Sequence, residues 1–445
     1  MTMLVNSLII GAGPAGTAIL SAADKNGCLP ELVAAGLVMV DRADEVGDGL
    51  IGRYTINSDS TAETFLTAVN QSKVDAVRAL EHDPVVRAVA AHIGDLGVPL
   101  PKAATFLKLV GERLSGFVQS HGGSLLTGHE ALHAQQMPGG LWRVHVRNLR
   151  DGSAADILSR ALVIATGGHQ PEDLIAEKQV AGVPVATRYA DKLLRSDIFL
   201  AQEGLGEARR ILAGRANPRI VVLGGSTSAL AALNKLLRPD SGLALADGAL
   251  TLLHRRPLRP FYPSAEAAEA EGFTEFGPED ICPISGFVYR LAGFRLEARA
   301  LVVRLLGING SPPEPRVRLH RIAGEEDLEA ARIMDEADLV IAALGYRPLA
   351  IPLRDSDGEH LPIAAELPHH PSMVDGACRV TGMDGMPVPG LYGIGLAAGF
   401  VPHGPLGGEP SFRGQANGLW LWQNDVGQLI VEQLLRQART ERAVA

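Results

Sequence analysis

Residues 4–16 read LVNSLIIGAGPAG, an apolar run that stops at Gly11, Gly13 and Gly16 and continues into small residues. A buried strand, a tight turn and a helix satisfy this pattern together. In that geometry Gly11 makes the turn and Gly13 lets an anion approach the backbone. Gly16 lets a helix from Pro14 and Ala15 to about Ala23 lie close on its strand. A strand-to-helix turn without a ligand fits the same spacing. What favours a dinucleotide is the sequel: the next apolar run, from Gly36 to Val40, closes in Asp41, with Arg42 beside it. That carboxylate can accept hydrogen bonds from a ribose hydroxyl pair. The class that follows is α/β with a Rossmann-like unit.

At 445 residues the chain exceeds one ordinary core and has room for two or three domains. Its hydrophobic content of 46%, its 50 glycines and its 20% charged residues describe a compact α/β enzyme. A net charge of -9 argues against an extended nucleic-acid face. No apolar run reaches the roughly twenty residues of a membrane span, and the apolar start lacks the basic residues of a signal peptide. Cys28, Cys282 and Cys378 form no close pair. The expectation is a reduced, cytoplasmic setting with no membrane partner, no nucleic-acid partner and no metal.

Beyond Asp41 the segment from Arg42 to Leu66 is rich in Gly, Asp, Ser and Thr, and a long polar loop inside a compact domain is usually functional. Within it the stretch Tyr54 to Asp59, with Asn57, Ser58 and Asp59, offers small hydrogen-bonding groups; an exposed loop with turn-forming Asn and Asp explains them equally well. Helical patterning follows from Ala62 to Leu80 and from Thr105 to Gln119. Leu141 to Arg147 alternates strictly and predicts a half-buried strand. The apolar run from Ala161 ends in Ala165, Thr166, Gly167 and Gly168, the kind of strand end at which open α/β sheets place ligands. His169 follows, either as a group near the ligand or as the cap of a turn.

A hydrophilic passage, Ala201 to Pro218, precedes a second strand at Arg219 to Leu223. It runs into Gly224, Gly225, Ser226, Thr227, Ser228 and Ala229 and a helix to about Leu237. This repeats the first motif with Ser226 at its second glycine position. The next strand, Ala249 to Leu253, ends in His254, Arg255 and Arg256 where the first half has Asp41. Arginines there suit the extra phosphate of NADP; a solvated basic strand end is the alternative. Pro257 to Pro283 has no clear period and reads as a substrate-facing insertion. A second apolar strand, Ala337 to Gly345, mirrors the run before Gly167. Gly395 and Leu396, a glycine-rich stretch containing His403, and a helix from about Gln415 to Arg436 close the chain.

In this motif order the chain resembles the flavoprotein monooxygenases with two dinucleotide-binding domains, and most of all the lysine and ornithine N-hydroxylases. The resemblance rests on Gly11 to Gly16, Ala165 to Gly167, Gly224 to Ala229 and Leu344 to Tyr346. It implies an FAD-binding domain over 1–205 and 348–445, with an NADPH-binding domain over 206–347 inserted. It further implies that FAD is held by Gly11, Gly13, Pro14, Ala15, Gly16, Asp41, Arg42, Thr166, Gly167, Gly395 and Leu396. NADPH is assigned to Gly224, Ser226, Thr227, Ser228, Arg255 and Arg256. Asn57, Ser58, His169 and His403 are the candidate catalytic groups. The expected partners are O2 and a small-molecule substrate, most simply a primary amine; a homo-oligomer is compatible with this reading. The sequence departs from the family pattern at Leu396, where these proteins usually carry Asp, and at Ser226. An NADPH-dependent reductase, an S-oxygenating enzyme and a protein that only binds nucleotide remain the alternatives. The missing cysteine pair leaves dithiol reduction without its reactive groups.

Overall fold

The opening apolar run forms strand β1 (Met3–Ile10), buried from Val5 onward. It lies between β2 (Leu37–Asp41) and, on the other side, the long strand from Ala154 to Ile164, parallel to both. A strand covered on both faces has no reason to alternate, hence its unbroken apolar sequence. The computed structural model describes residues 3–367, 372–416 and 418–444. With β3 (Ser124–Thr127), β4 (His129–Gln136), β5 (Trp142–Asn148) and β6 (Ala154–Ile164) the order is β4-β5-β6-β1-β2-β3 in a nine-stranded sheet. In β5, Trp142, Val144 and Val146 are buried while Arg143 and Arg147 face solvent, the alternation expected of it.

β6 serves two neighbours. Its first half pairs antiparallel with β5, and Leu162–Ile164 pairs parallel with Leu391–Gly393 of the late strand Pro387–Gly393. The carboxyl ends of β1, β6 and that late strand therefore lie side by side. Helix α1 (Pro14–Lys25) packs on the C-terminal helix Gly427–Val444. A Cβ on Gly427 would stand 2.8 Å from the Ala18 carbonyl oxygen, so only glycine permits this crossing.

A second, five-stranded sheet is parallel throughout, in the order Leu193–Arg195, Leu339–Ala342, Ile220–Leu223, Leu250–His254, Val317–Arg321. It has a separate core containing Leu230, Leu233, Leu250 and Ile341. The chain then returns to the first sheet, where Leu353–Arg354 pairs with β4. The division expected at 206 falls inside this unit, because Leu193–Arg195 is already its edge strand; we propose a boundary ahead of Leu193.

Two expected helices are interrupted. The run from Ala62 to Leu80 forms Ala62–Asn70 and Asp75–Arg78. Between them the buried Asp24 captures the Ser72 hydroxyl at 2.5 Å and the amides of Lys73 and Val74 at 2.8 and 2.9 Å. Those hydrogen bonds replace the helical ones. The final helix, expected from Gln415, is split into Gly418–Gln423 and Gly427–Val444, with Asp425 at a left-handed φ of 54° and ion-paired to Lys25. Among the described residues no helix is long and apolar enough to cross a membrane.

Candidate functional site: two glycine turns and the loop between them

The first glycine turn is fixed by contact. Gly11 has φ of 105°, and a Cβ there would stand 2.4 Å from the Ala165 carbonyl oxygen. A Cβ on Gly16 would stand 1.9 Å from the Gly11 carbonyl oxygen. Both glycines are required by the protein itself. Gly13 is different. Its φ is -74°, ordinary for any residue, and its Cβ would meet nothing closer than Gly49 Cα at 3.3 Å. Its lack of a side chain serves the open space in front of α1, whose N-cap makes no side-chain hydrogen bond and so leaves the first amides to a ligand. Asp41 sits at the end of β2, but both its oxygens already accept amides, from Ala12 at 2.6 Å and Ala43 at 2.8 Å. It braces the turn, and only its remaining lone pairs face outward for a ribose. Arg42 is exposed.

The second turn repeats the first. Gly224 has φ of 121°, and its Cβ would stand 2.4 Å from the Ala343 carbonyl oxygen, as Gly11 does against Ala165. Ser226 caps the helix Thr227–Leu237 by position, again without a side-chain capping bond; Ser226 and Thr227 are exposed and Ser228 half-buried. The buried His254 ring bonds through Nδ1 to the Arg256 carbonyl at 2.8 Å, a turn that presents Arg255 and Arg256 to solvent. Lys178, which belongs to no sequence motif, donates to the Leu344 carbonyl at 2.9 Å. Burial, then repulsion from Arg255 and Arg347, holds its pKa below the usual lysine value. Positive charge thus gathers beside the turn, a field suited to phosphate.

The residues that follow Ala165–Gly167 and Leu344–Tyr346 form a short antiparallel ladder, Arg347 opposite His169 and Pro348 opposite Gly168. The Thr166 hydroxyl donates to the Leu349 carbonyl. A Cβ on Gly395, at φ of 125°, would stand 3.0 Å from Ala15 Cβ and 3.7 Å from Gly167 Cα. Thr166, Gly167, Gly395 and the first turn are therefore one place. The exposed Leu396 lies over Gly168, its carbonyl oxygen 2.8 Å from the position of a Cβ there. The His169 Nδ1 atom is buried without a hydrogen-bond partner, as expected of a group waiting for a ligand. These cradles fit a dinucleotide at each turn.

The loop after β2 joins the turns. Gly47 donates its amide to the Ala12 carbonyl at 2.8 Å, and Gly49 packs against Gly13 and Pro14. Further on, Tyr54 and Ile56 pack against the core of the second sheet, and the Asp59 carboxylate accepts from the Thr227 hydroxyl at 3.5 Å. Tyr54 lies beside Tyr346, and burial, then Tyr54, pushes the Tyr346 phenol above its usual range. Asp59 is half-buried; burial raises its pKa, Arg295 opposes that and Glu297 adds to it.

The four candidate catalytic residues do not form one constellation. Ser58 is buried and its hydroxyl is spent on its own turn, accepting from the Ser60 amide at 2.9 Å and donating to the Ser60 carbonyl at 3.2 Å. Asn57 donates to Glu297 at 2.6 Å, tying the loop to the start of helix Leu296–Leu306. His403 is exposed, its Nδ1 3.2 Å from the Val401 carbonyl. Only His169 lies at the ladder beside both turns. Lys178 belongs to no motif, and Asp59, part of the hydrogen-bonding stretch Tyr54 to Asp59, is absent from the candidate catalytic set.

No family model matches the chain. Over 448 residues it is 32% identical to the CMP-5'-(3-aminopropyl)phosphonate hydroxylase of Streptomyces rubellomurinus, with 98% of each chain covered. Solved structures of similar fold include the ornithine N-hydroxylase of Kutzneria sp. 744, at 15% identity and a TM-score of 0.52 over 98% of this chain and 99% of that one. The L-lysine 6-monooxygenase of Pseudomonas syringae matches at 15% and 0.54 over 97% and 99%. The cadaverine monooxygenase of Erwinia amylovora, solved with FAD, matches at 13% and 0.56 over 98% and 94%. These three likenesses are of fold.

Proposed function

The chain belongs to the flavoprotein monooxygenases with two dinucleotide-binding domains, and on that premise we propose that it uses FAD and NADPH to place one oxygen atom of O2 on the nitrogen of a primary amine. The supporting observation is the single loop that packs on Gly13 at one glycine turn and reaches Thr227 at the other. Two nucleotides held at those turns would meet across it. When bound, NADPH supplies a hydride and FAD the ring that activates O2.

The chain's own residues supply position. Gly13 and the amides that open α1 take the FAD pyrophosphate, and Thr166, Gly167, Gly395 and Leu396 border the flavin end. Ser226, Thr227 and Ser228 take the second pyrophosphate, with Arg255, Arg256 and Lys178 around the 2'-phosphate. Tyr54 and Tyr346 close the gap between the sheets against water. Asp59 is the group we assign to the amine. It is half-buried and held by one long hydrogen bond, so it retains capacity to accept N–H groups. Asn57 acts through Glu297 as a positioning residue.

An alkylammonium has no lone pair to offer, so the amine must lose a proton of pKa near ~10.4 before it reacts. Turnover is therefore expected to climb with pH toward that ionisation. The 32% identity, over 98% of each chain, to a CMP-5'-(3-aminopropyl)phosphonate hydroxylase supports a finer reading, in which the amine is carried on a nucleotide.

NADPH consumption, measured with and without aminoalkyl substrates and with an artificial electron acceptor, tests the reading. One hydroxylamine formed per NADPH consumed is the expected result. Consumption indifferent to amines, with electrons passing to the acceptor, would put a reductase in its place. Asp59→Asn should raise the KM for the amine roughly tenfold or more while FAD content stays unchanged.

A further inference from the structure

Between the second glycine turn and the C-terminal loop lies a cavity of about 310 Å³ that no part of the preceding account uses. Its floor is Leu258, whose side chain lies 4.0 Å from the position of a Cβ on Gly225. Phe273, Phe276 and Tyr289 line it: the buried Phe273 ring is stacked on Tyr262 at 5.4 Å and on Phe276 at 6.3 Å, with Tyr289 edge-on to it at 6.4 Å, so the half-buried Phe276 is the ring left to meet a ligand. The Arg259 guanidinium stands 4.8 Å over the Tyr289 ring. The far wall is tied to the C-terminal loop, since Ser411 donates its amide to the Glu279 carbonyl at 2.8 Å and its hydroxyl to Asp280 at 2.5 Å.

Its carboxylates are of two kinds. Asp280 is fully employed, by Ser411, the Gly277 amide and the Tyr289 hydroxyl. Glu275 and Glu279 also line the cavity, and among the described residues no hydrogen bond or ion pair holds either carboxylate. The half-buried Phe276 ring can accept a planar ring by stacking. Free carboxylates at the rim accept from an amino group on that ring and repel a ring carbonyl. We propose that this cavity holds the base of the nucleotide that carries the reactive amine, and that it selects a base with an exocyclic amino group. The inference rests on the reading that the substrate amine is nucleotide-borne. The adenine of the pyridine nucleotide offers similar chemistry, and Arg255 and Arg256 directly precede the lining residues Pro257 to Arg259, so competition with NADP+ distinguishes the two bases.

Calorimetric titration of the FAD-loaded protein with CMP, UMP and NADP+, singly and in competition, tests this. CMP should bind at least about tenfold more tightly than UMP, whose ring carbonyl faces the same carboxylates. Glu279→Gln should narrow that ratio, because an amide both donates and accepts; Glu275→Gln is the second variant should the first fail to fold. Phe276→Ala should weaken CMP by about tenfold and leave NADP+ unaffected. Absence of CMP binding, or equal binding of CMP and UMP, overturns the proposal. So does competition between CMP and NADP+ with both weakened by Phe276→Ala, which would hand the cavity to adenine. NADPH-driven oxygenation of a simple alkylamine, followed in the same preparation, reports on the parent reading alone.

Discussion

Gly13 and Gly16 stand three residues apart and carry different burdens. Gly16→Ala would force a Cβ to within 1.9 Å of the Gly11 carbonyl oxygen and should cost the fold itself. Gly13→Ala meets only Gly49 Cα at 3.3 Å. It should give protein of near-normal thermal stability that retains little FAD. Absorbance of the bound flavin against melting temperature separates the two, and a Gly13→Ala protein with full FAD content would remove the pyrophosphate from this turn. Arg255→Ala and Arg256→Ala should each weaken NADPH by roughly tenfold, the ~1.5 kcal/mol of a charge-assisted contact, and leave NADH nearly unchanged. Equal weakening of both would make the arginines structural. The glycine positions are legible in sequence because a tight turn admits few residues. The second role of Asp41 and the turn that consumes Ser58 are not, since a local hydrogen bond to backbone leaves no periodic trace.

At the scale of elements, the helix Thr227–Leu237 does more than follow the second glycine turn. Its Lys235, almost wholly buried, donates to the carbonyls of Phe199 at 2.9 Å and Ala201 at 2.6 Å. Ala201 bridges to Tyr54, which lies beside Tyr346. The helix thus grips the loop that spans the two turns. Burial, then Arg238, draws the Lys235 pKa from its usual 10.5 down to about 8, against the opposing pull of Asp240 and Glu203. Between those values the unfolded chain holds a proton that the folded one has released, so stability should rise as pH climbs through that interval, by up to roughly 3 kcal/mol. Denaturant midpoints compared between the wild type and Lys235→Met test this. The wild type should show the rise and the variant should lack it; parallel curves would assign the pH dependence to other groups. Periodicity reveals the helix and its apolar face, but a lysine there reads as a solvated end until the packing is seen. The break at Ser72 is hidden likewise, because its cause, Asp24, lies in another helix.

On the scale of the whole molecule, the order of strands and glycine turns announces two nucleotide units, and the paired contacts Gly11 with Ala165 and Gly224 with Ala343 show the same solution built twice. The parts of the site that depend on chain segments far apart are less legible. Asp59 meets Thr227 across 168 positions and Lys178 meets Leu344 across 166, and neither pair shares a motif. The first arises where the loop after β2 meets the second sheet and the second where the chain ahead of Leu193 packs on that sheet, and a local pattern encodes neither. That loop carries the central claim, that reducing equivalents and an oxygen atom converge on one amine between the turns. The most direct measurement is the mass of the product formed from NADPH, an aminoalkyl substrate and isotopically labelled O2. The account predicts a hydroxylamine carrying one labelled oxygen atom, formed only when the amine, NADPH and O2 are all present. NADPH oxidation that leaves every amine unlabelled, with all the label recovered in hydrogen peroxide or water, would contradict it.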